Sequence, residues 1–196
     1  QDLEAVLDAC AGRGNKSWLL GGEVGPEGRV ALADKYPAKL SAFERRAWSG
    51  AMSTHAVDWT VGPGDVPTGF DRVLVDAPCS GLGTLRRNPD LKWRQTPAGI
   101  AEMLGKQFDI LESAARLVRP GGRLVYATCS LLAEENDGIV DRFLGQHPEF
   151  VQLDASVLLA HQDIPVATGA RLRLLPSVHN TDGFFAAVLE RIRDDG

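Results

Sequence analysis

The sequence is poor in cysteine, in long apolar runs and in net positive charge. Its 196 residues include three cysteines, Cys10, Cys79 and Cys129. These are too few for a disulfide framework, and none has the C-x-x-C spacing typical of a zinc site. We therefore expect a reducing, cytoplasmic setting and no metal. No apolar run approaches the roughly 20 residues that a membrane-spanning helix needs, so we expect no membrane association.

The charge balance is acidic, with a formal net charge of −5 and a pI near 5.4. A protein that binds nucleic acid over its whole surface is usually basic. Any nucleic-acid contact is therefore expected from a local patch, or from a part of the protein outside this sequence. The strongest patch is Arg86-Arg87-Asn88-Pro89-Asp90-Leu91-Lys92-Trp93-Arg94, which holds four cations, one acid and one aromatic residue.

Apolar strands alternate with helical segments along the chain. We predict strands at residues 5–8, 30–34, 54–58, 70–76, 123–128, 150–153 and 184–189. Helices are predicted after Gly14, from Pro37, from Pro97 to a stop at Pro120-Gly121-Gly122, and from 134 to 144, whereas residues 154–183 are loop-like. The alternation predicts an α/β fold with a mostly parallel sheet covered by helices on both faces. In doubly wound order, strand four lies between strands one and five.

Cys79 and Cys129 each follow a predicted buried strand. Cys79 lies in Asp76-Ala77-Pro78-Cys79-Ser80-Gly81, and Cys129 lies in Thr128-Cys129-Ser130. A single cysteine at a strand end is more often simply buried. If the two strands are parallel neighbours, about 4.8 Å apart, both thiols lie at the carboxyl edge, where open α/β sheets bind ligands. Paired thiols there indicate a covalent mechanism, but their spacing does not rank them.

Acidic residues end four of the predicted strands, namely Asp8, Asp34, Asp58 and Asp76. A carboxylate at that edge can accept hydrogen bonds from ribose hydroxyls, an adenine amino group or loop amides. The alternative is that each acid caps the following turn. Asp34 is the best candidate ribose ligand, because the residue that ends the second strand faces the nucleoside in this architecture.

A glycine-containing loop, Gly12-Arg13-Gly14-Asn15-Lys16-Ser17, follows the first strand. It lets the backbone approach a ligand closely. It is not a P-loop, since Asn15 replaces the glycine before Lys16, and it is not a dinucleotide fingerprint, since Ser17 replaces the third glycine. A nucleoside without a pyrophosphate, such as S-adenosylmethionine, fits this loop better than NAD. We interpret Cys10 as a small residue that lines the loop rather than a third catalytic thiol.

These motifs together resemble the Fmu/Sun family of RNA cytosine-C5 methyltransferases, and within it the bacterial 16S ribosomal RNA branch. The resemblance rests on the segment around Cys79, on residues 86–93, on Tyr126-Ala127-Thr128-Cys129-Ser130 with Glu134-Glu135-Asn136, and on Thr181-Asp182-Gly183-Phe184-Phe185. It covers residues 5 to 191. The first motif departs from the family pattern, because Arg13 stands for proline and Asn15 for glycine.

The resemblance implies a Rossmann-like, S-adenosylmethionine-dependent methyltransferase fold with a C-terminal antiparallel strand. It also implies RNA, ribosomal RNA in particular, as the partner. We expect residues 1–196 to form one catalytic domain and an upstream RNA-binding domain to lie outside this sequence.

The resemblance also implies roles for the site residues. Cys129 is implied to attack carbon 6 of cytosine, and Cys79 to assist product release. We expect Asp76 to contact the cytosine ring or the cofactor, and Lys16 to orient Asp76 or to lower the pKa of a neighbouring thiol. We expect residues of the first loop and the strand-end acids to bind the cofactor, namely Cys10, Ala11, Gly12, Arg13, Gly14, Asn15, Lys16, Asp34, Asp58 and Asp76.

We expect RNA to contact the basic patch through Arg86, Arg87, Lys92, Trp93 and Arg94, with the cations meeting phosphates and the indole stacking on a base. The alternative is a solvated loop with Trp93 in the core.

Two other functions remain open from the sequence. A dinucleotide-dependent oxidoreductase leaves both cysteine motifs unexplained. A non-catalytic RNA-binding or ribosome-assembly module, whose cofactor loop has drifted at Arg13 and Asn15, would not bind S-adenosylmethionine.

Overall fold

A computed structural model describes residues 4–24, 27–44 and 51–193 of the chain. Eight strands form one sheet: β1 Ala5–Asp8, β2 Arg29–Asp34, β3 Ala51–Ala56, β4 Phe70–Asp76, β5 Val118–Thr128, β6 Phe150–Leu153, β7 Leu172–Leu174 and β8 Phe184–Arg191. The helices are α1 Asn15–Val24, α2 Pro37–Glu44, α3 Leu91–Arg94, α4 Pro97–Ala115, α5 Asp137–Gln146, α6 Ala155–Ala160 and α7 Pro176–His179, with a 3-10 turn at Leu82–Thr84.

The strand order is β3-β2-β1-β4-β5-β8-β6, and β7 also pairs with β8. Strands β1 to β5 pair in parallel, whereas β8 is antiparallel to β5, β6 and β7. Strand β4 therefore lies between β1 and β5. The predicted fold class is confirmed, including its doubly wound order and its C-terminal antiparallel strand.

Helices cover both faces of the sheet, as the alternation along β2 demonstrates. Successive side chains of a strand point to opposite faces. Val30 and Leu32 pack with Leu40 and Phe43 of α2 in one apolar cluster. Ala31 and Ala33 belong to a second, larger cluster that includes residues of α4 and α5, among them Phe108, Leu111, Ile139 and Phe143.

Helix α4 begins where its sequence predicts. The Thr96 hydroxyl oxygen accepts a hydrogen bond from the Gly99 N–H at 3.1 Å, and Pro97 occupies the first turn, where its missing N–H leaves no helical bond unmade. Phe108 and Leu111 are buried. In the described part of the chain, no helix is both long and apolar enough to cross a bilayer.

Strand β5 begins at Val118 rather than at the predicted Arg123. The prediction that Pro120-Gly121-Gly122 stops the preceding helix is wrong, because α4 already ends at Ala115. The segment forms an irregularity within β5, where the register with β4 shifts between Phe70 and Arg72. Gly121 has a φ of 74°, which few other residues adopt without strain. The same residue types that end helices therefore allow this strand to bulge.

Other predicted elements also differ from the structure. Strand β3 occupies Ala51–Ala56 rather than residues 54–58, and helix α5 begins at Asp137 rather than at residue 134. Residues 154–183, predicted as loop, include α6, β7 and α7. Asp154 begins α6, because its carboxylate accepts hydrogen bonds from the Ser156 and Val157 N–H groups at 2.8 and 3.4 Å.

The turn after β4, at Gly83, is hydrogen-bonded to Gly183, which directly precedes β8. The Gly83 N–H donates to the Cys129 carbonyl at 2.9 Å, and the Gly183 N–H donates to the Gly83 carbonyl at 2.8 Å. A Cβ atom at Gly83 would lie 2.3 Å from the Gly183 oxygen and 2.7 Å from the Cys129 oxygen. Only glycine therefore fits between these backbone segments.

We predict that Gly83→Ala lowers the free energy of unfolding by about 1–3 kcal/mol, because backbone atoms must move apart to admit the methyl group. The matched control is Gly105→Ala in the exposed part of α4, where a Cβ meets nothing within 4 Å. That change should raise the free energy of unfolding by roughly 0.5–1 kcal/mol through helix propensity. Urea titrations measure the free energy of unfolding of both variants. Equal values for the two would contradict the conclusion that only glycine fits at position 83.

Candidate active site

Cys79 and Cys129 lie side by side at the carboxyl edge of the sheet. Strands β4 and β5 end level with each other, with Asp76 opposite Ala127, and the Ala77 N–H donates to the Ala127 carbonyl at 2.9 Å. Each cysteine follows within three residues. Their Sγ atoms are 3.4 Å apart, within hydrogen-bond distance, and both residues are half-buried.

The contact between the two sulfurs shifts the pKa values of the two thiols in opposite directions. A hydrogen bond from the Cys79 thiol favours the thiolate of Cys129 and lowers the pKa of Cys129 to about 7, against the opposing effects of burial and of the Asp76 charge. The same contact, together with burial, raises the pKa of Cys79. The pair is therefore set up with its negative charge on Cys129 and a proton on Cys79.

Lys16 and Asp76 form an ion pair beside this thiol pair. Lys16 lies in the first turn of α1, and its Nζ contacts Oδ2 of Asp76 at the end of β4. The Lys16 charge also contributes to the lowered pKa of Cys129. Asp8, 1% exposed, accepts a hydrogen bond from the Ser17 hydroxyl at 2.7 Å, and burial raises its pKa to about 6.

A cavity of about 410 Å³ opens over the ends of the first four strands. Its volume is within the range of small-molecule sites. Five of the residues expected to bind the cofactor line it: Cys10, Gly12, Asp34, Asp58 and Asp76. Burial and the nearby Asp8 charge raise the pKa of Cys10, so its thiol stays protonated at neutral pH.

The strand-end acids already hold partners. Oδ2 of Asp34 accepts from the Gly12 N–H at 2.9 Å, and Oδ1 accepts from the Tyr36 N–H at 2.9 Å. Asp58 pairs with Lys35 at 2.7 Å and accepts from Thr60. A carboxylate offers about four acceptor positions, so both acids can hold the loops and still accept a hydrogen bond from a ligand.

Other residues expected at the cofactor do not line the cavity. Ala11 is buried in the cluster that includes Phe43, and Gly14 lies against the Phe43 ring, which a Cβ at Gly14 would meet at 2.1 Å. Arg13 and Asn15 are exposed.

The sequence did not identify several lining residues, among them Tyr36, Lys39, Trp59, Pro78, Met103 and Lys106. Tyr36 and Trp59 follow within two residues of Asp34 and Asp58, and that proximity was a usable signal. Trp59 is fixed by a hydrogen bond from its Nε1 to the Ala9 carbonyl at 2.5 Å. Met103 and Lys106 come from α4, far along the chain, and their position depends on how that helix packs.

The basic patch is exposed, but most of its cations have acidic partners. Arg87 pairs with Asp182, Arg86 lies 3.9 Å from the same carboxylate, and Arg94 pairs with Asp90 at 2.6 Å. The Lys92 Nζ lies 4.9 Å from the centre of the Trp93 ring. Trp93 is 81% exposed, so its indole is not part of the core.

No group of three or more metal-ligating side chains occurs among residues 4–24, 27–44 and 51–193.

Comparison with known proteins identifies related sequences and structures. The family model described as "16S rRNA methyltransferase RsmB/F" matches residues 1–190. The chain is 38% identical over 196 residues to the "Probable ribosomal RNA small subunit methyltransferase B" of Synechocystis sp., covering 97% of this chain and 44% of that protein.

Two solved structures are similar over nearly the whole chain. PH0851 superposes with a TM-score of 0.86 at 34% identity, over 96% of this chain and 43% of its own. NSun6 from Pyrococcus horikoshii with SFG superposes with a TM-score of 0.81 at 27% identity, over 97% of this chain and 48% of its own. The chain thus spans less than half the length of each of these relatives.

We predict that Cys129 reacts with iodoacetamide with a midpoint near pH 7, because the thiolate is the nucleophile and its fraction falls as the pH drops below the pKa. In Cys79→Ala the hydrogen bond is lost, so the midpoint should move up toward that of an ordinary thiol and alkylation at pH 7 should slow. Mass spectrometry of the Cys129 peptide across a pH series measures the midpoint of alkylation in the wild type and in the variant. An unchanged midpoint in the variant would show that Cys79 does not stabilise the thiolate.

Proposed function

Because the chain belongs to the 16S rRNA methyltransferase RsmB/F family, we propose that it forms 5-methylcytosine in small-subunit ribosomal RNA, with Cys129 as the attacking thiolate. The observation that carries this proposal is the 3.4 Å contact between two thiols at the sheet edge. A single strand-end cysteine has a simple structural explanation, but two thiols in contact beside a ligand-sized cavity do not.

The chemistry of the cavity fits S-adenosylmethionine. Its rim holds the acids Asp34, Asp58 and Asp76, which suit ribose hydroxyls and a positively charged sulfonium, while Val57 and Ile110 provide apolar surface. When bound, this cofactor supplies the methyl group. We propose that Asp34 and Asp58 hold the nucleoside and that the backbone of Gly12 lies against it.

Cys129 supplies the activation that the base needs. Carbon 5 of cytosine is too electron-poor to accept a methyl group unaided, and a thiolate that adds to carbon 6 makes carbon 5 nucleophilic. A pKa near 7 keeps a large fraction of Cys129 ionised at neutral pH. We propose that the Asp76 carboxylate, held by Lys16, accepts a hydrogen bond from the exocyclic amine and orients the ring over Cys129.

Cys79 serves the release step in this proposal. After methylation, carbon 5 loses its proton to water at this half-exposed edge, the bond from carbon 6 to Cys129 breaks, and the electron pair returns to the sulfur. The Cys79 thiol lies 3.4 Å from that sulfur and donates the hydrogen bond that stabilises the departing thiolate. Loss of Cys79 should therefore slow elimination more than addition.

The alternative of a non-catalytic RNA-binding module depends on the departures at Arg13 and Asn15. Both side chains are exposed, and neither lines the cavity. These substitutions therefore leave the cavity wall intact and do not favour a lost cofactor site.

We predict that Cys129→Ala abolishes methyl transfer to 16S ribosomal RNA, and that Cys79→Ala accumulates a covalent protein–RNA adduct. The physical reason is that addition can still proceed from the smaller fraction of Cys129 that is ionised without Cys79, whereas the departing thiolate in elimination loses the hydrogen bond that stabilises it. Denaturing gels of each variant incubated with RNA and S-adenosylmethionine measure the adduct, and bisulfite sequencing maps the product. The double variant Cys79→Ala/Cys129→Ala is the control and should form no adduct. Full activity in Cys129→Ala, or adduct in the double variant, would contradict the assignment.

We also predict that RNA binding depends on the basic patch. The triple variant Arg86→Ala/Arg87→Ala/Lys92→Ala should bind RNA more weakly and reduce the slope of log affinity against log salt by about two, since each phosphate contact on a single strand contributes about 0.7. Arg116→Ala, which removes a cation from an exposed pair with Glu112 on α4, is the control and should leave the slope unchanged. Filter binding across a salt series measures the affinity for RNA. Equal slopes for the triple variant and the wild type would show that RNA does not bind at the basic patch.

A further inference from the structure

Glu135 lies between the two cysteine-bearing loops and has no exposed surface. Its Oε1 accepts hydrogen bonds from the Ser80 N–H at 2.8 Å and from Gln107 Nε2 at 2.9 Å. Its Oε2 accepts from the Ser80 hydroxyl at 2.5 Å and from the Ser130 hydroxyl. Ser80 directly follows Cys79, and Ser130 directly follows Cys129. One carboxylate therefore binds the residue next to each thiol.

The network around Glu135 is held at several points. The Ser80 and Ser130 hydroxyl oxygens are 3.1 Å apart. The Tyr126 hydroxyl donates to the Glu135 carbonyl at 2.7 Å, which ties the backbone of Glu135 to β5. Asn136 accepts from the Thr128 hydroxyl at 2.6 Å and donates to the Ser130 carbonyl at 3.1 Å. Glu135 is thus fixed to the strand whose end carries Cys129.

A buried carboxylate is costly unless it is hydrogen-bonded. No basic side chain in the described ranges forms an ion pair with Glu135, so its four donors alone compensate for its burial. Hydrogen bonds to an ionised acceptor are shorter and stronger than neutral ones. A network of this kind resists displacement of either cysteine loop.

We infer that Glu135 is a positioning residue that sets the distance between Cys79 and Cys129 by holding Ser80 and Ser130 to one carboxylate. Glu135 bonds to the neighbours of the two cysteines and acts through them. The catalytic consequence rests on the proposed function, but the spacing of the thiols does not.

A helix-terminal role does not account for this residue. Consecutive glutamates before a helix suit its positive end, and the sequence favours that interpretation for both Glu134 and Glu135. Glu134 is exposed and has no hydrogen-bond or ion-pair partner among the described side chains. Glu135 is turned inward, before α5 begins at Asp137. The two neighbours therefore offer a matched comparison.

The conservative variant discriminates the role of shape from that of charge. In Glu135→Gln, the amide oxygen can accept from the Ser80 N–H and Gln107, and the amide N–H₂ can donate to the two serine hydroxyls, which rotate to accept. Most of the network then survives. In Glu135→Ala, all four donors lose their acceptor.

The first experiment measures thiol spacing without RNA or cofactor. Phenylarsine oxide binds two sulfurs at once, so its affinity reports whether Cys79 and Cys129 can reach one arsenic atom, with mass spectrometry identifying the bridged cysteines. We expect Glu135→Ala to bind on the order of tenfold more weakly than the wild type, by analogy with the loss of outer partners at metal sites. Glu135→Gln should stay within a few-fold of the wild type, and Glu134→Ala should be unchanged.

The second experiment measures turnover. If thiol spacing governs the reaction, Glu135→Ala should lose on the order of 100-fold in kcat, with KM for RNA nearly constant, and Glu135→Gln should restore most of it. If a thermal unfolding experiment shows that Glu135→Ala is not folded, Ser130→Ala takes its place. This variant removes only one donor to Glu135 and should also weaken binding of the arsenical.

Wild-type arsenical affinity in Glu135→Ala, or in Ser130→Ala where the first variant is unfolded, would overturn the inference. Weaker bridging in Glu135→Ala, together with no RNA adduct in Cys79→Ala, would instead refute the proposed function and leave the positioning role of Glu135 supported.

Discussion

The parallel pairing of β4 with β5 is the constraint on which the candidate site depends. Because Asp76 lies opposite Ala127, the two strands end at the same level and release their chains into loops that start side by side. A shift of one residue would turn every side chain of a strand to the opposite face. The buried, apolar composition of both strands, with Val73, Val75, Leu124 and Tyr126 in the core, opposes such a shift. Core packing and thiol geometry are therefore set by the same register.

The strand-end acids illustrate how one group can serve both structure and binding. Asp34 holds the Gly12 and Tyr36 amides, so its carboxylate shapes the first loop before any ligand arrives. The sequence leaves capping and ligand binding as alternatives for such acids, and the observed geometry makes the two roles compatible. Preorganised acceptors of this kind need little rearrangement when a ligand binds.

The parts of the fold that depend on local chemistry could be predicted, and those that depend on distant contacts could not. The start of α4 follows from Thr96 and Pro97, and the bounds of β4 and β6 follow from apolar runs. Pro120-Gly121-Gly122 has the composition of a helix stop, and only its pairing with β4 converts it into part of β5. The candidate site divides in the same way. The adjacency of the thiols follows from strand order, whereas Glu135 bonds to Ser80, 55 residues away, and nothing local distinguishes it from Glu134.

The position of β8 carries a consequence for biosynthesis. This strand comes after all the others in the chain, yet it lies between β5 and β6 in the interior of the sheet, and Gly183 just before it braces the turn that contacts Cys129. During translation, both cysteine-bearing segments leave the ribosome well before the strand that completes their support. Long-range pairings of this kind form late. Until β8 has been made, β5 therefore has an open edge, and the turn at Gly83 lacks its hydrogen bond from Gly183.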